Sequence, residues 1–199
     1  MGKQYRINEI FYSLQGEGRH TGRAAVFIRF SGCNLRCPFC DTDFNDYRLM
    51  TADEIMAAIA IWQHCGFVVL TGGEPSLQVD AELVERLHDA GFYVAMETNG
   101  THAVAEGVDW VTLSPKSSFV DHPLPIVIDR ADEVKVVFDG VHTPECPAAI
   151  TGKPYLCLQP CDTGNAAANR TLTEQCVAYV KEHPQWHLSL QTHKMIHIQ

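Results

Sequence analysis

Short runs rich in β-branched and aromatic residues recur along the chain at Ala25–Phe30, Phe67–Thr71, Tyr93–Glu97, Trp110–Ser114, Glu133–Phe138, Tyr155–Gln159 and His187–Gln191. Such runs predict strands. Several are almost continuously apolar, as in Phe67-Val68-Val69-Leu70, which suits parallel strands covered on both faces better than a half-solvated antiparallel sheet. Three segments carry helical periodicity. The first opens with Thr51 as N-cap and Glu54 three residues on, a capping box, and continues with Ile55, Ile59 and Trp62 on one stripe. The second starts at about Asp80, places Leu83, Val84 and Leu87 on one face, and ends at Gly91. The third is predicted to begin at Thr171 with Glu174 as a further capping box, to carry Val177 and Val180, and to stop near His183-Pro184.

Strands therefore alternate with helices early and late, but not in the middle. Residues 114–133 contain Pro115, Pro123 and Pro125, and residues 138–155 contain Pro144, Pro147 and Pro154, with no helical stripe in either stretch. These crossovers read as loops. The predicted architecture is α/β, a parallel (β/α) barrel or open barrel with some outer helices missing. The chain shows no repeat, low-complexity segment or linker, so residues 1–199 are expected to form one domain. Ligands of such sheets sit beyond the C-terminal ends of the strands, and the segments following the strands are where chemistry is sought.

Composition removes several function classes. With 199 residues, 46% of them hydrophobic, the chain can bury a core of its own and is not disordered. Fifteen Lys and Arg against 24 Asp and Glu leave a net charge of −9, which argues against a nucleic-acid partner. No apolar run approaches the ~20 residues of a membrane span. Met1 to Phe11 lacks a basic segment followed by a long apolar stretch, so a cytoplasmic, reducing location is expected.

The eight cysteines then need an explanation other than disulfides. Cys65, Cys146, Cys157, Cys161 and Cys176 share no spacing and read as buried small hydrophobes. Cys33, Cys37 and Cys40 are different: they follow the first strong strand at spacing C-x3-C-x2-C within Ser31-Gly32-Cys33-Asn34-Leu35-Arg36-Cys37-Pro38-Phe39-Cys40-Asp41. Three thiolates from one loop can hold three corners of a cubane iron–sulfur cluster, whereas a fully protein-ligated cluster takes four. The open fourth iron is a catalytic arrangement. Structural zinc is the alternative, but zinc prefers paired C-x2-C knuckles and this segment has one such pair. Thr71-Gly72-Gly73-Glu74-Pro75 follows the second strand, and its two glycines let backbone approach a ligand closely.

This combination resembles the radical S-adenosylmethionine (SAM) superfamily, in which the open iron chelates SAM and its reductive cleavage yields a hydrogen-abstracting radical. Phe39, just before the third cysteine, fits the same signature. Three further stretches narrow the resemblance: Glu9-Ile10-Phe11-Tyr12-Ser13-Leu14-Gln15-Gly16-Glu17-Gly18, Cys40-Asp41-Thr42-Asp43 and Gln191-Thr192-His193-Lys194. With them, the whole chain is similar to the 7-carboxy-7-deazaguanine synthase family of 7-deazapurine (queuosine) biosynthesis. The resemblance implies a lyase that converts 6-carboxy-5,6,7,8-tetrahydropterin to 7-carboxy-7-deazaguanine with loss of ammonia. It also implies a homodimer on a reduced barrel of about six strands and three helices, and a flavodoxin or ferredoxin as reductant. The implied cofactors are a [4Fe-4S] cluster, SAM and Mg²⁺.

Carried over position by position, the resemblance assigns Cys33, Cys37 and Cys40 to the cluster and Thr42 to magnesium. It assigns Phe39, Cys40, Asp41, Gly73, Ser114, Pro115, Lys116, Gln159, Pro160, Cys161 and Asp162 to SAM. Leu14, Gln15, Gly16, Glu17, Arg29, Thr71 and the C-terminal Gln199 are assigned to substrate. Physical sense supports part of this. Arg29 lies in an apolar strand, where an unpaired charge is costly, and its planar fork suits a substrate carboxylate; a salt bridge to an acidic residue is the bland alternative. Glu17 would accept hydrogen bonds from the guanidine-like edge of a pterin or else be a solvated loop residue. Asp41 alone would be a loop cap, and His193 and Lys194 would be surface residues. His64, His88 and His183 read as ordinary polar positions. Two rival functions remain: a SAM-dependent activase of a partner protein, and a zinc-stabilised binding module without catalysis.

Overall fold

The computed structural model of the chain describes residues 2–40 and 46–199; Asp41, Thr42 and Asp43 lie outside them. The described residues form one nine-stranded sheet in the order β3-β1-β2-β4-β5-β6-β7-β8-β9. Its strands are β1 (Gln4–Leu14), β2 (Ala24–Phe30), β3 (Arg48–Thr51), β4 (Phe67–Gly72), β5 (Tyr93–Thr98), β6 (Trp110–Leu113), β7 (Glu133–Phe138), β8 (Tyr155–Pro160) and β9 (His187–Leu188). From β2 to β9 every pairing is parallel. β1 runs antiparallel to both β2 and β3.

All seven predicted strands are present, and β1 and β3 are additional. The sequence hides β1 because the alternation of Tyr5 and Ile7 with Gln4, Arg6 and Asn8 is short and is broken by Glu9 and Ser13 in its second half. The last strand is shorter than predicted: only His187 and Leu188 pair with β8.

Helices α1 (Ala52–Ile59), α2 (Ala81–Asp89), α3 (Ala166–Glu182) and α4 (Thr192–Met195) flank the sheet. The Thr51 box forms as predicted: Thr51 Oγ1 accepts from the Glu54 N–H at 3.3 Å, and Glu54 Oε2 accepts from the Thr51 N–H at 2.7 Å. Ile55 and Ile59 are fully buried, and Trp62 follows on a 3-10 extension, Ala60–Cys65. In α2, Asp80 caps the Leu83 N–H at 3.1 Å and Leu83, Val84 and Leu87 face the core.

Helix α3 begins earlier than predicted. Asn165 is its N-cap, accepting from the Ala167 and Ala168 N–H groups, and the Ala166-Ala167-Ala168 run has the highest helix propensity available. Thr171 sits one turn inside and donates to Ala167 O at 3.2 Å, so it caps nothing. Cys176 is the fully buried position, Tyr179 and Val180 pack beside it, and Val177 is partly exposed.

Alternation along the strands separates two faces. Val26, Ile28, Val68, Leu70, Val94, Met96, Val111 and Leu113 point to the helices and share their core with Ile55, Leu83 and Leu87. Ala25, Phe27, Phe67, Val69 and Ala95 point the other way and form a separate cluster with Phe11. The segment after β1 reaches across this second face: Gln15 touches β5 through Glu97, Glu17 touches β7 through Lys135, and the Gly18 N–H donates to Ser189 beyond β9. The sheet therefore curls around residues 15–18 as an incomplete barrel. Of the five scattered cysteines, Cys157 and Cys176 are buried as expected, while Cys65, Cys146 and Cys161 are half-buried.

Candidate active site

The cavity-facing side of each strand changes character along its length. It starts apolar, with Ala25 and Phe27 on β2, Phe67 and Val69 on β4, and Ala95 on β5. It ends polar, at Arg29, Thr71 and Glu97, with Ser114 just after β6, Lys135 on β7 and Gln159 on β8. An apolar floor thus lies below a polar rim at the C-terminal strand ends, where α/β sheets place ligands. One cavity is lined by that rim, by the loop after β1, by the cysteine loop and by the C-terminal segment.

Every described residue assigned from sequence lines this cavity except Pro115. Cys33, Cys37 and Cys40, Phe39, Gly73, Ser114, Lys116 and Gln159 to Asp162 meet there with Leu14 to Glu17, Arg29, Thr71 and Gln199. His193 and Lys194 also line it; Lys194 stays exposed as the sequence suggested, at the rim, whereas His193 is half-buried. His193 packs so closely on Gly16 that a Cβ there would stand 2.1 Å from its Nδ1, which explains the glycine. Lys194 binds Asp162 at 2.7 Å, and this bond first, with the Gly164 N–H and Asn169 amide, holds the Asp162 carboxyl well below its usual range.

The glycine turn is fixed to the cysteine loop through backbone. The Gly73 N–H donates to Phe30 O and the Glu74 N–H to Gly32 O, both at 2.9 Å. Gly72 has φ +114°, and a Cβ would lie 2.2 Å from Phe30 O, so this close approach of β4 to β2 requires glycine. Glu74, 1% exposed, accepts from the Ser76 N–H, Ser76 Oγ and Thr98 Oγ1 on one oxygen and from the Asn99 N–H on the other. Asn99 Nδ2 continues to Asn34 Oδ1 at 3.1 Å. A buried carboxylate thereby ties the ends of β4 and β5 to the cysteine loop.

At the deep end, Lys135 Nζ bonds Glu17 Oε2 at 2.5 Å and Glu97 Oε1 at 3.4 Å. Burial alone would raise the Glu17 carboxyl, but the Lys135 charge and hydrogen bonds from Lys135, Gln191 and Gln159 outweigh it and bring it down to about 2. Glu17 is thus an ionised, buried group and not a solvated loop residue. Burial likewise disfavours charge on Lys135, yet Glu17, Glu97 and Glu133 together raise it. Lys116, buried nearer the thiols, is lowered by burial and by the Lys135 charge. Arg29 pairs with Glu9 at 2.7 Å and remains partly exposed to the cavity.

Comparison with known proteins agrees with this arrangement. The Radical SAM superfamily matches over residues 27–143. The chain is 52% identical over 193 residues to the 7-carboxy-7-deazaguanine synthase of Bacteroides thetaiotaomicron, covering 97% of this chain and 98% of that protein. It is 42% identical over 215 residues to that of Burkholderia multivorans, covering 98% and 99%. The crystal structure of QueE from Escherichia coli superposes with a TM-score of 0.69 at 30% identity, covering 94% of this chain and 93% of that one. The chain belongs to the 7-carboxy-7-deazaguanine synthase family of the radical SAM superfamily.

Membership of this family implies SAM and a [4Fe-4S] cluster, and the thiols are the groups that would hold the cluster. Cys33, Cys37 and Cys40 open on the same cavity, none is in a disulfide, and burial raises the thiols of Cys33 and Cys37. Among the described residues no three His, Cys, Asp or Glu side chains are grouped about one point as ligands of a single ion. A cubane places each thiolate on a different iron, and three thiols of one loop that open on one cavity fit that donor set. No helix among the described residues is long and apolar enough to cross a membrane.

Several charged residues of the site lie outside the sequence assignments, among them Glu97, Lys135, His193 and Lys194 on the cavity wall and Glu9 bound to Arg29. A signal existed for two. Glu97 and Lys135 are charged residues on predicted strands at cavity-facing parity, the same argument that singled out Arg29. Glu9 lies on a strand the sequence hides, and only the fold brings His193 and Lys194 back beside Gly16 and Asp162.

Proposed function

We propose that this chain converts 6-carboxy-5,6,7,8-tetrahydropterin to 7-carboxy-7-deazaguanine with loss of ammonia, in 7-deazapurine (queuosine) biosynthesis. The observation that carries the reading is one cavity joining the cysteine triad to a polar rim, in a chain 52% identical to a named synthase over nearly its whole length. Cys33, Cys37 and Cys40 would hold the cluster. When bound, the cluster and SAM supply the hydrogen-abstracting radical chemistry of the superfamily. Phe39, Cys40, Gly73, Ser114, Lys116 and the 159–162 segment surround the space next to the triad and would orient SAM, with Asp41 and Pro115 completing the set.

Substrate would sit deeper, between Thr71, the 14–17 loop and the C-terminal residue. Arg29 keeps one face of its guanidinium on Glu9 and would turn the other to the substrate carboxylate, a charge-assisted pairing that fixes the ring. Glu17, ionised across the neutral range, would accept from the N–H groups of the pterin edge. Gln199 would close the mouth: its Nε2 donates to Glu9 Oε2 at 2.6 Å, and its main-chain oxygen accepts from Ser13 Oγ at 2.6 Å. That cover would help to keep water from the reacting ring. Thr42 would serve magnesium, a hydroxyl completed by water and substrate oxygens being a site Mg²⁺ accepts. A flavodoxin or ferredoxin would supply electrons, and the active form would be a cytoplasmic homodimer.

Anaerobic incubation of reduced, cluster-loaded protein with SAM and the pterin tests the reading. The expected product is 7-carboxy-7-deazaguanine with one ammonia released per turnover. SAM cleavage without a deazaguanine, or colourless protein with stoichiometric zinc after anaerobic iron and sulfide loading, would overturn it.

A further inference from the structure

The deep end of the cavity has an unusual charge count. Lys135 is in contact with two carboxylates, Glu17 and Glu97, and its side chain is 6% exposed against 15% and 25% for theirs. Its backbone oxygen accepts from Ser114 Oγ at 3.0 Å, which fixes it half-way up β7. Glu133 lies below it at the strand start, bound to the Arg19 N–H at 2.9 Å, and Lys116 lies toward the thiols.

The carboxylates are held from several elements at once. Glu97 accepts from Gln15 Nε2 at 3.0 Å and Thr71 Oγ1 at 3.2 Å, and Glu17 from Gln191 Nε2 at 2.9 Å. Each carboxylate oxygen has two acceptor directions, so these contacts fix the pair without exhausting it. What remains open toward the cavity is acceptor capacity with negative charge. A ligand edge made of N–H donors is matched there, and an edge carrying a carbonyl oxygen is repelled.

We propose that Lys135 is a specificity-determining positioning residue, which holds Glu17 and Glu97 as a charged acceptor pair so that the site takes a heterocycle with an amidine-like N–H edge and rejects its 2-oxo counterpart. The proposal rests on the pterin reading above and deepens it. Two carboxylates this close in a buried site do not both stay ionised without a cation. With Lys135 present, each carboxylate of the pair has the same cation in contact. Without it, one member takes a proton, and the discrimination between N–H and C=O edges falls.

The test measures dissociation constants of 6-carboxypterin and 6-carboxylumazine, its 2-oxo analogue, on anaerobic cluster-loaded enzyme at pH 6, 7 and 8. Wild-type enzyme is expected to favour the pterin more than about a hundredfold, with little pH dependence, since a buried polar site left unpaired discriminates strongly. Lys135→Met should weaken pterin binding about tenfold to a hundredfold, as loss of a charged hydrogen-bond arrangement does. It should also narrow the ratio to the lumazine and introduce binding that tightens as pH rises. Lys135→Arg should restore the ratio and remove the pH dependence, outcomes that a packing role would not produce. If Lys135→Met fails to fold, Glu97→Gln carries the test by narrowing the ratio while Lys135 still holds Glu17. An unchanged ratio in the variants, or equal losses for both analogues, overturns the role of Lys135. Wild-type enzyme that binds neither compound overturns the pterin reading itself.

Discussion

Replacing Gly16 by alanine tests how the C-terminal segment is held over the cavity. The new Cβ would stand 2.1 Å from His193 Nδ1 and 3.0 Å from His193 Cβ, so turning the ring does not relieve the contact and the backbone of α4 must retreat. That backbone is anchored on the same residue: the Thr192 N–H and Oγ1 both donate to Gly16 O, at 3.0 and 2.9 Å. Gln199 closes the far end on Ser13 and Glu9. At about 1 kcal/mol net for each of these four bonds, opening the segment costs about 4 kcal/mol. An overpacked contact typically costs about 2 kcal/mol, and here it is relieved by opening. Local opening should therefore become roughly thirtyfold more frequent. Hydrogen exchange read by mass spectrometry should show that increase at the Ile196 and Ile198 amides, with the thermal midpoint lowered by roughly 4–8 °C because the closed native state itself carries the strain. KM for the pterin should rise more than kcat falls. Equal protection of residues 192–199 in the variant would refute the steric account.

Other outcomes follow from the same geometry. Cys37→Ala should keep its circular dichroism spectrum while losing the brown iron–sulfur absorption and all SAM cleavage; retained cleavage would count against the triad. Glu74→Leu removes the acceptor for four donors at once, and with two of them backbone N–H groups it should cost about 4 kcal/mol in urea unfolding. Glu17 has its folded pKa depressed to about 2 from an ordinary 4.5, so its contribution is present above pH 5 and is lost as pH falls from about 5 toward 2. That amounts to about 3 kcal/mol, measurable as a steep loss of unfolding free energy in acid that Lys135→Met should flatten.

The parallel strands, the first two helices and the cysteine loop were legible because each rests on local signals: continuous apolar runs, a capping box, a fixed thiol spacing. β1 was not, because its alternation is broken by Glu9 and Ser13 and its partners are β2 and β3. The start of α3 was misplaced because Thr171 and Glu174 mimic a capping box, while Asn165 followed by three alanines is the stronger start. Within the site, Arg29 was legible as a charge in an apolar strand. Lys135 obeys the same rule but lies in Glu133-Val134-Lys135, where the neighbouring acid suggests an exposed salt bridge. Glu133 instead points to the barrel floor and holds the Arg19 N–H. His193 reads as a surface residue in sequence, since its role depends on a contact with Gly16 across most of the chain.

The prolines between β6 and β8 show why the missing outer helices cost little. A sheet face left bare would expose Leu113, Val134 and Leu156 to water, at about 25 cal/mol per Å² of apolar surface. The connecting segments cover that face themselves. Ile126, Ile128 and Ala131 from the first connection and Cys146 and Ile150 from the second pack into the helix-side core. Backbone bonds lay them flat: the Val127 N–H donates to Gly100 O, Asp132 N–H to Val111 O, Thr151 N–H to Asp129 O and Tyr155 N–H to Asp132 O. Extended chain spans about twice the distance per residue that a helix does, so each crossover covers its strands with fewer residues. The strands keep their parallel register without helices, and Lys135 and Gln159 still face the cavity at the positions their parity dictates. Shortening the outer layer therefore leaves the site intact, because what positions it is the pairing of β7 with β8 and the loop after β1, not the covering on the far side.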